Sequence, residues 1–471
     1  MRAATRPAIV PDAYRLLSGW CYLEHSLLRM WAGWGRHAGD WEDKIAVCHH
    51  AWLQAEVVER MRRRLAMFPG GKADQPVGAV FERLANAVLL APSWPQAMAG
   101  VDRLRRALAT AYERYAAQTH PVHDRPTLDV LREVEQFKGT QRQWYEGFRR
   151  RYPHTIQPEY AARIDAALAE AGDLLAPFEP TEPFARPCGK GTEFRLPRTP
   201  GRVKDWDRAP NVMPLIETDW SHSVEARRLF FCIGYLWEMG VAETQLTWIY
   251  YADFMPFEYV YAETRHMWDE SRHGDSGRAR LAEFGIDIGD VGYSSYNAHD
   301  PGVITPMTPR DVYQGFYNVT QVAETGYFET KRYCFEDFRL GDDDGSAEMM
   351  QFDIIDETSH VEYGRVWLEA MAQRAGVTDD YRQRGRADRA AAQAKPDARV
   401  RELRAVREGR LRPQAVAPGG DPTYNPAASN AAATLLDPKA QAHYQHLLRV
   451  LRDKQPLRNV ATAPVRPNLP M

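Results

Sequence analysis

Two five-residue strings constrain this chain more than any other feature. They are Asp269-Glu-Ser-Arg-His273 and Asp356-Glu-Thr-Ser-His360. Each lies in a long stretch of helical periodicity, where residues i and i+3 share a face. Glu270 and His273, and likewise Glu357 and His360, can therefore bind one metal ion side by side. The preceding Asp269 and Asp356 point about 100° away. That direction suits a carboxylate that hydrogen-bonds the ring N–H of a ligating histidine, here from the opposite string, and fixes its tautomer.

A two-metal carboxylate site also needs one glutamate from each of two further helices. The chain offers a matched pair, Val241-Ala-Glu-Thr244 and Val322-Ala-Glu-Thr325, whose glutamates are Glu243 and Glu324. Register supplies an independent check, because residues facing each other in an antiparallel hairpin are equidistant from its turn. Glu243 and Glu270 have their midpoint at 256.5, at Pro256-Phe257; Glu324 and Glu357 have theirs at 340.5, at Leu340-Gly341. Both fall on turn signals. Glu238, with a midpoint of 254 against Glu270, is the reserve candidate on the first helix. A third tetrad, Glu263–His266, puts His266 one turn before Glu270 on the same face, as a candidate extra ligand. Taken singly, each of these residues reads equally well as a paired polar group of a helical core. Taken together, four carboxylates in a core are very costly without cations.

The rest of the chain is organised around this set. Apolar residues at i, i+3, i+4 and i+7 predict helices over 12–35, 42–67, 95–118 and 126–151, as with Leu16, Trp20, Leu23, Leu27 and Trp31. A fifth helix over 158–175 leads into a connector punctuated by Pro180, Pro183, Pro187, Pro197, Pro200 and Pro210. A second set of four helices is expected over 222–254, 257–284, 308–339 and 345–375, with a long crossover at 286–306. A tail follows, with an Arg-rich polar helix over 381–411, a Pro/Gly/Ala/Asn-rich coil over 412–430 and a short helix over 436–453, packed on the body or on a partner subunit. The expected domains are thus 1–152, a helical bundle without metal; 153–214, helix and connector; 215–375, the metal domain; and 376–471, the tail. In the N-terminal part only Glu24, His49/His50 and Glu56 offer an independent metal set, and Lys138 stands where a ligand histidine would be.

Composition narrows the function classes. With 60 Lys+Arg against 63 Asp+Glu, the net charge of −3 does not fit a protein built to coat nucleic acid. The Arg-rich 381–411 stretch has mixed signs and reads as a solvated face. The longest apolar run, 229–237, is far short of the roughly 18–20 residues of a membrane span. Residues 1–11 lack the apolar segment of a signal peptide, so a cytoplasmic protein is expected. Five cysteines without a CxxC pair leave no thiolate-bound cluster and no disulfide scaffold in view. Any electrons must come from an external donor.

In these motifs the chain resembles the ferritin-like di-metal carboxylate proteins, which include ribonucleotide reductase small subunits, bacterial multicomponent monooxygenase hydroxylases and arylamine N-oxygenases. The resemblance covers about 222–375. It implies an all-α fold: a ferritin-like four-helix bundle, with a second, degenerate bundle at the N-terminus. It implies two iron ions, or manganese or a mixed pair, held by Glu243, Glu270, His273, Glu324, Glu357 and His360, and reaction with O₂ or peroxide. The implied function is a di-iron oxidase or oxygenase acting on a small organic substrate. Phe328 stands where the hydroxylases carry a threonine four residues after the third-helix glutamate. Tyr250, Tyr317 and Tyr327 lie near ligand level as candidate radical or hydrogen-bonding tyrosines. The rival functions are a ferroxidase, peroxidase or Mn-catalase-like protein, and a helical scaffold with a vestigial site. A homodimer is among the open assemblies.

Overall fold

A computed structural model describes residues 10–74, 77–153, 156–175, 188–189, 192–220, 223–292, 306–378, 380–408 and 437–454. Among these residues all regular structure is helical and no strand occurs. No described helix is long and apolar enough to cross a membrane. Most of the 286–306 crossover, the connector prolines 180, 183 and 187, and the 412–430 coil lie outside the described residues. Contacts divide the chain into two units, and the division is not linear. One comprises Met1–Gly201, Gln245–Trp268 and Ile304–Pro306; the other comprises Arg202–Thr244, Asp269–Val303 and Met307–Met471.

The first unit contains α1 (Val10–Gly35), α2 (Trp41–Ala66), α3 (Ala79–Leu89), α4 (Trp94–Gln118), α5 (Arg125–Arg151) and α6 (Pro158–Glu170). Asp40 caps α2 by accepting from the Asp43 amide, which satisfies one of the free N–H groups of its first turn. The stripe Leu16, Trp20, Leu23, Leu27 and Trp31 is buried, and each such aliphatic side chain contributes roughly 1.5–3 kcal/mol. The Trp20 indole donates to the Leu174 carbonyl at 2.8 Å, so its polar edge is satisfied where its ring is buried. Helix α3 is not among the helices predicted from periodicity. It is only 11 residues long, but its Phe81, Leu84, Ala85 and Val88 form a buried stripe at helical spacing.

In the second unit, the chain runs through α7 (Met213–Asp219), α8 (Val224–Tyr251), α9 (Phe257–Glu283), α10 (Pro309–Tyr317), a π-helical segment (Asn318–Ala323), α11 (Glu324–Leu340), α12 (Asp344–Arg374), α13 (Tyr381–Arg407) and α14 (Pro438–Lys454). Residues 245–251 of α8 and 257–268 of α9 belong to the first unit. Close backbone approach explains why α9 carries Gly277: a Cβ there would sit 2.4 Å from the Cys232 carbonyl oxygen of α8. Helix α12 starts from Asp343, whose side chain accepts from the Ser346 amide at 3.1 Å and is paired with Arg228 and Arg280. The Arg-rich helix α13 packs on α11 and the π segment. Arg404 pairs with Glu329 at 3.0 Å, and Tyr317 donates to Asp388 at 2.6 Å. The one predicted helix over 308–339 is therefore two α-helices joined by a π turn, directly before Glu324.

Candidate metal centre

The second unit gathers carboxylates and imidazoles from α8, α9, α11 and α12. Two groups stand out. Ligand atoms of Glu270, Glu324 and His360 lie within 4.8 Å of one another, and so do those of Glu238, Glu270 and His273. Glu270 belongs to both. His360 Nδ1 is 3.4 Å from both Glu270 Oε1 and Glu324 Oε1, and His273 Nδ1 is 3.1 Å from Glu238 Oε2. All are buried except Glu238, which is partly so.

Helix geometry explains these pairings. Helix α11 ends at Leu340 and α12 begins at Asp344, so the hairpin is centred on residue 342. Glu324 and His360 are equidistant from that centre and face each other. Helix α8 ends at Tyr251 and α9 begins at Phe257, which centres that turn on 254. The residue of α8 equidistant with Glu270 is then Glu238.

Glu243 is therefore not where the register expectation put it. Instead Arg202 Nη1 and Nη2 grip its two oxygens, each at 2.6 Å. This bidentate pair is strong and geometrically specific. Glu357, in turn, lies in a third group, with Glu238 and Asp353. The ammonium of Lys331 sits in that group, 2.6 Å from Asp353 Oδ2 and in contact with Glu357 Oε1.

The leading aspartates of the two strings face across the centre. Asp356 Oδ2 lies 3.2 Å from His273 Nε2, and Asp269 Oδ2 lies 3.4 Å from His360 Nε2. Arg272 binds both aspartates, at 2.7 Å to Asp356 and in contact with Asp269. Each histidine thus has one ring nitrogen turned to the carboxylate groups and the other held by an aspartate of the opposite string. Such outer carboxylates orient a ligand ring and raise its basicity. Asp356→Asn is accordingly expected to weaken divalent-metal binding roughly 10–100-fold, measured by titration with Mn(II). Unchanged affinity would show that the His273 contact does not serve a metal.

Sequence reasoning passed over Asp353 and Lys331. Both were within reach of the helical-face argument, since Asp353 is one turn before Glu357 and Lys331 is two turns after Glu324. Tyr235 is a third addition: its buried ring lies 6.1 Å from the His273 ring. Of the tyrosines singled out earlier, Tyr317 is committed to Asp388. His266 is buried, one turn before Glu270 on α9, with Nδ1 3.7 Å from Glu263 Oε2.

The N-terminal residues arrange differently. Glu24 accepts from Tyr112 and Gln54, both at 2.5 Å, and pairs with Lys138 at 2.6 Å in a fully buried knot. Glu56 is paired with Arg60 at 2.9 Å, and His49 stacks on Trp268.

The electrostatics of the centre follow from burying so many carboxylates. Burial pushes the Glu238 carboxyl up, against the pull of His273, to about 7. Burial and the Asp353 charge hold Glu357 well above the carboxylate range, against Lys331. Burial works against a charged His273, but Asp353, Asp356 and Glu238 outweigh it and hold the ring well above its ordinary value. The same balance, with Asp353 and Glu357 dominant over burial, raises Lys331.

Glu238, Glu357 and His273 thus all hold protons more tightly when folded than when unfolded. For a group raised in this way, stability is greatest below its unfolded value and is lost as pH rises through its folded value. Below about pH 6.5 the buried or half-buried neutral His25, His37, His49 and His50 oppose this trend, because their protonation favours unfolding. In chelator the melting temperature is therefore expected to fall as pH rises from about 7 to about 8. Saturating Mn(II) should remove that fall, because the metal replaces the protons. A melting temperature that rises over this range in chelator would contradict the assignment.

The donor set is carboxylate oxygen and imidazole nitrogen, without thiolate. That chemistry fits iron, manganese or zinc rather than a soft-metal cluster. The five cysteines are buried and free of disulfides. No family model, curated protein or solved structure matches the chain.

Proposed function

We propose that this chain is a dinuclear-metal oxidoreductase that activates O₂ toward a small organic substrate. In this reading α8, α9, the α10–α11 element and α12 form a ferritin-like set of four helices. The observation that carries the reading is Glu270, shared between the Glu270/Glu324/His360 and Glu238/Glu270/His273 groups. A carboxylate common to two adjacent groups could serve as a ligand to two metal ions at once. Charge supports the same count. Five carboxylates (Glu238, Glu270, Glu324, Asp353 and Glu357) converge with one ammonium, Lys331. The formal excess of four negative charges is what two divalent ions neutralise.

Glu238 and His273 would hold one ion, Glu324 and His360 the other, with Glu270 between them. Iron at both positions would supply the redox chemistry for O₂ that no side chain here can supply. Asp269, Asp356 and Arg272 would keep the imidazoles in the ligating tautomer. With no thiolate-bound cluster of its own in this reading, the chain would take electrons from an external donor. The test is anaerobic reconstitution with Fe(II), followed by mixing with O₂ under stopped flow. Rapid O₂ uptake with a transient visible absorbance is expected. Stable Fe(II) under O₂ would reject the oxidoreductase reading. Fast disproportionation of peroxide by a manganese-loaded form, without O₂ chemistry of the iron form, would replace it with a catalase.

A further inference from the structure

Lys331 is out of keeping with a site for metal. It is nine-tenths buried, and its ammonium lies in the third carboxylate group, Glu238, Asp353 and Glu357. Those three carboxylates have atoms within 4.8 Å of one another, as close as in the other two groups. Glu357 Oε2 has no hydrogen-bond partner among the described residues, although its side chain is only 6% exposed. By spacing alone the centre could take three cations. By charge it has room for two divalent ions once the ammonium is counted.

We propose that Lys331 is a resident cation of the centre: it fills the Glu238/Asp353/Glu357 group and so limits the chain to two divalent metal ions. This inference deepens the dinuclear reading above and rests on it for the number two. Two features make Lys331 suited to the part. Its four-carbon stem reaches from α11 to α12, where Asp353 and Glu357 stand one turn apart and both face it. A compact ammonium also presents three donors, enough to touch both carboxylates from one point. Removing the charge while leaving the stem would leave Asp353 and Glu357 in the same interior without the ammonium that contacts both. Such a group either takes up protons or recruits a metal ion.

The test counts Mn(II) bound to the full-length chain at saturation, by elemental analysis after desalting and by equilibrium dialysis. The wild-type protein is expected to bind about two ions. Lys331→Met keeps the length of the side chain and removes its charge, and it is expected to bind one ion more. Lys331→Arg, which keeps the charge, should bind as the wild type does. Lys331→Met combined with Asp353→Asn removes both charges of the pair and should return the count to that of the wild type.

A Lys331→Met protein with the wild-type count overturns the inference and leaves the dinuclear reading intact. So does a wild-type protein that binds three ions, a result that needs no variant to fold. A wild-type protein that binds none, beside a Lys331→Met protein that binds one, sinks the dinuclear reading and keeps the lysine assignment. No binding by either rejects both.

Discussion

Glu270→Ala is expected to empty the centre. Glu270 is the residue common to both ligand groups, and His360 Nδ1 lies 3.4 Å from its Oε1. Its loss removes one donor from each group and one negative charge from between them. Changes to residues that merely orient ligands cost roughly 10–100-fold in affinity, so losing a donor from both groups is expected to cost more than about 100-fold. The metal content after desalting should fall from about two ions per chain to near zero. Far-ultraviolet circular dichroism should stay helical, because the helices are held by packing and caps elsewhere, as at Asp343 with Arg228 and Arg280. Glu270→Ala with full metal content would show that the shared position is not a ligand.

The second large effect separates two glutamates on one helix. Glu238 lies 3.1 Å from His273 within a ligand group, whereas Glu243 is gripped bidentately by Arg202. Glu238→Ala is expected to lower metal content severely with a modest change in thermal stability. Glu243→Ala is expected to do the reverse. It removes the carboxylate that Arg202, whose side chain is only 15% exposed, grips with two nitrogens. Breaking a buried pair from one side costs about 3–5 kcal/mol, and the partial exposure of Arg202 places this case near 3. Metal content should be retained. Comparing both variants by elemental analysis and denaturant titration decides the matter. Loss of metal in Glu243→Ala with retention in Glu238→Ala would restore the register read from the sequence.

That register failed for a definable reason. Pro256 looks like the middle of a turn, but it directly precedes α9. Proline is favoured at the start of a helix, where its missing N–H costs nothing. The turn is therefore centred two to three residues earlier than Pro256 implies, and the facing residue moves from Glu243 to Glu238. The Val-Ala-Glu-Thr repeat reinforced the error. Its second copy begins inside a π turn, Asn318–Ala323, whereas its first lies in continuous α-helix. Equal sequences in these two settings do not present their glutamates alike, because a π turn adds a residue to the local register.

Other parts were legible because they depend only on local helix geometry. Glu270 with His273, the crossed placement of Asp269 and Asp356, and the long helices α1, α2, α4 and α5 follow from spacing of three, four and seven. Lys331 and Asp353 obey the same spacing. Neither belongs to a motif, however, and a lysine on a ligand face carries no sequence signature. The pairing of Glu24 with Lys138 in the first unit has the same form, a buried lysine beside a glutamate. Both lysines were visible in the sequence as charges on otherwise apolar faces, but only the folded chain shows which carboxylates they meet.

In the reading proposed above, the Glu238/Glu270/His273 and Glu270/Glu324/His360 groups hold a pair of metal ions. Anaerobic reconstitution of the full-length chain with Fe(II), removal of loose metal, and elemental analysis with Mössbauer spectroscopy test it most directly. About two irons per chain are expected, high-spin ferrous when anaerobic and magnetically coupled after oxidation. No stoichiometric iron, or a single uncoupled iron after oxidation, would contradict it.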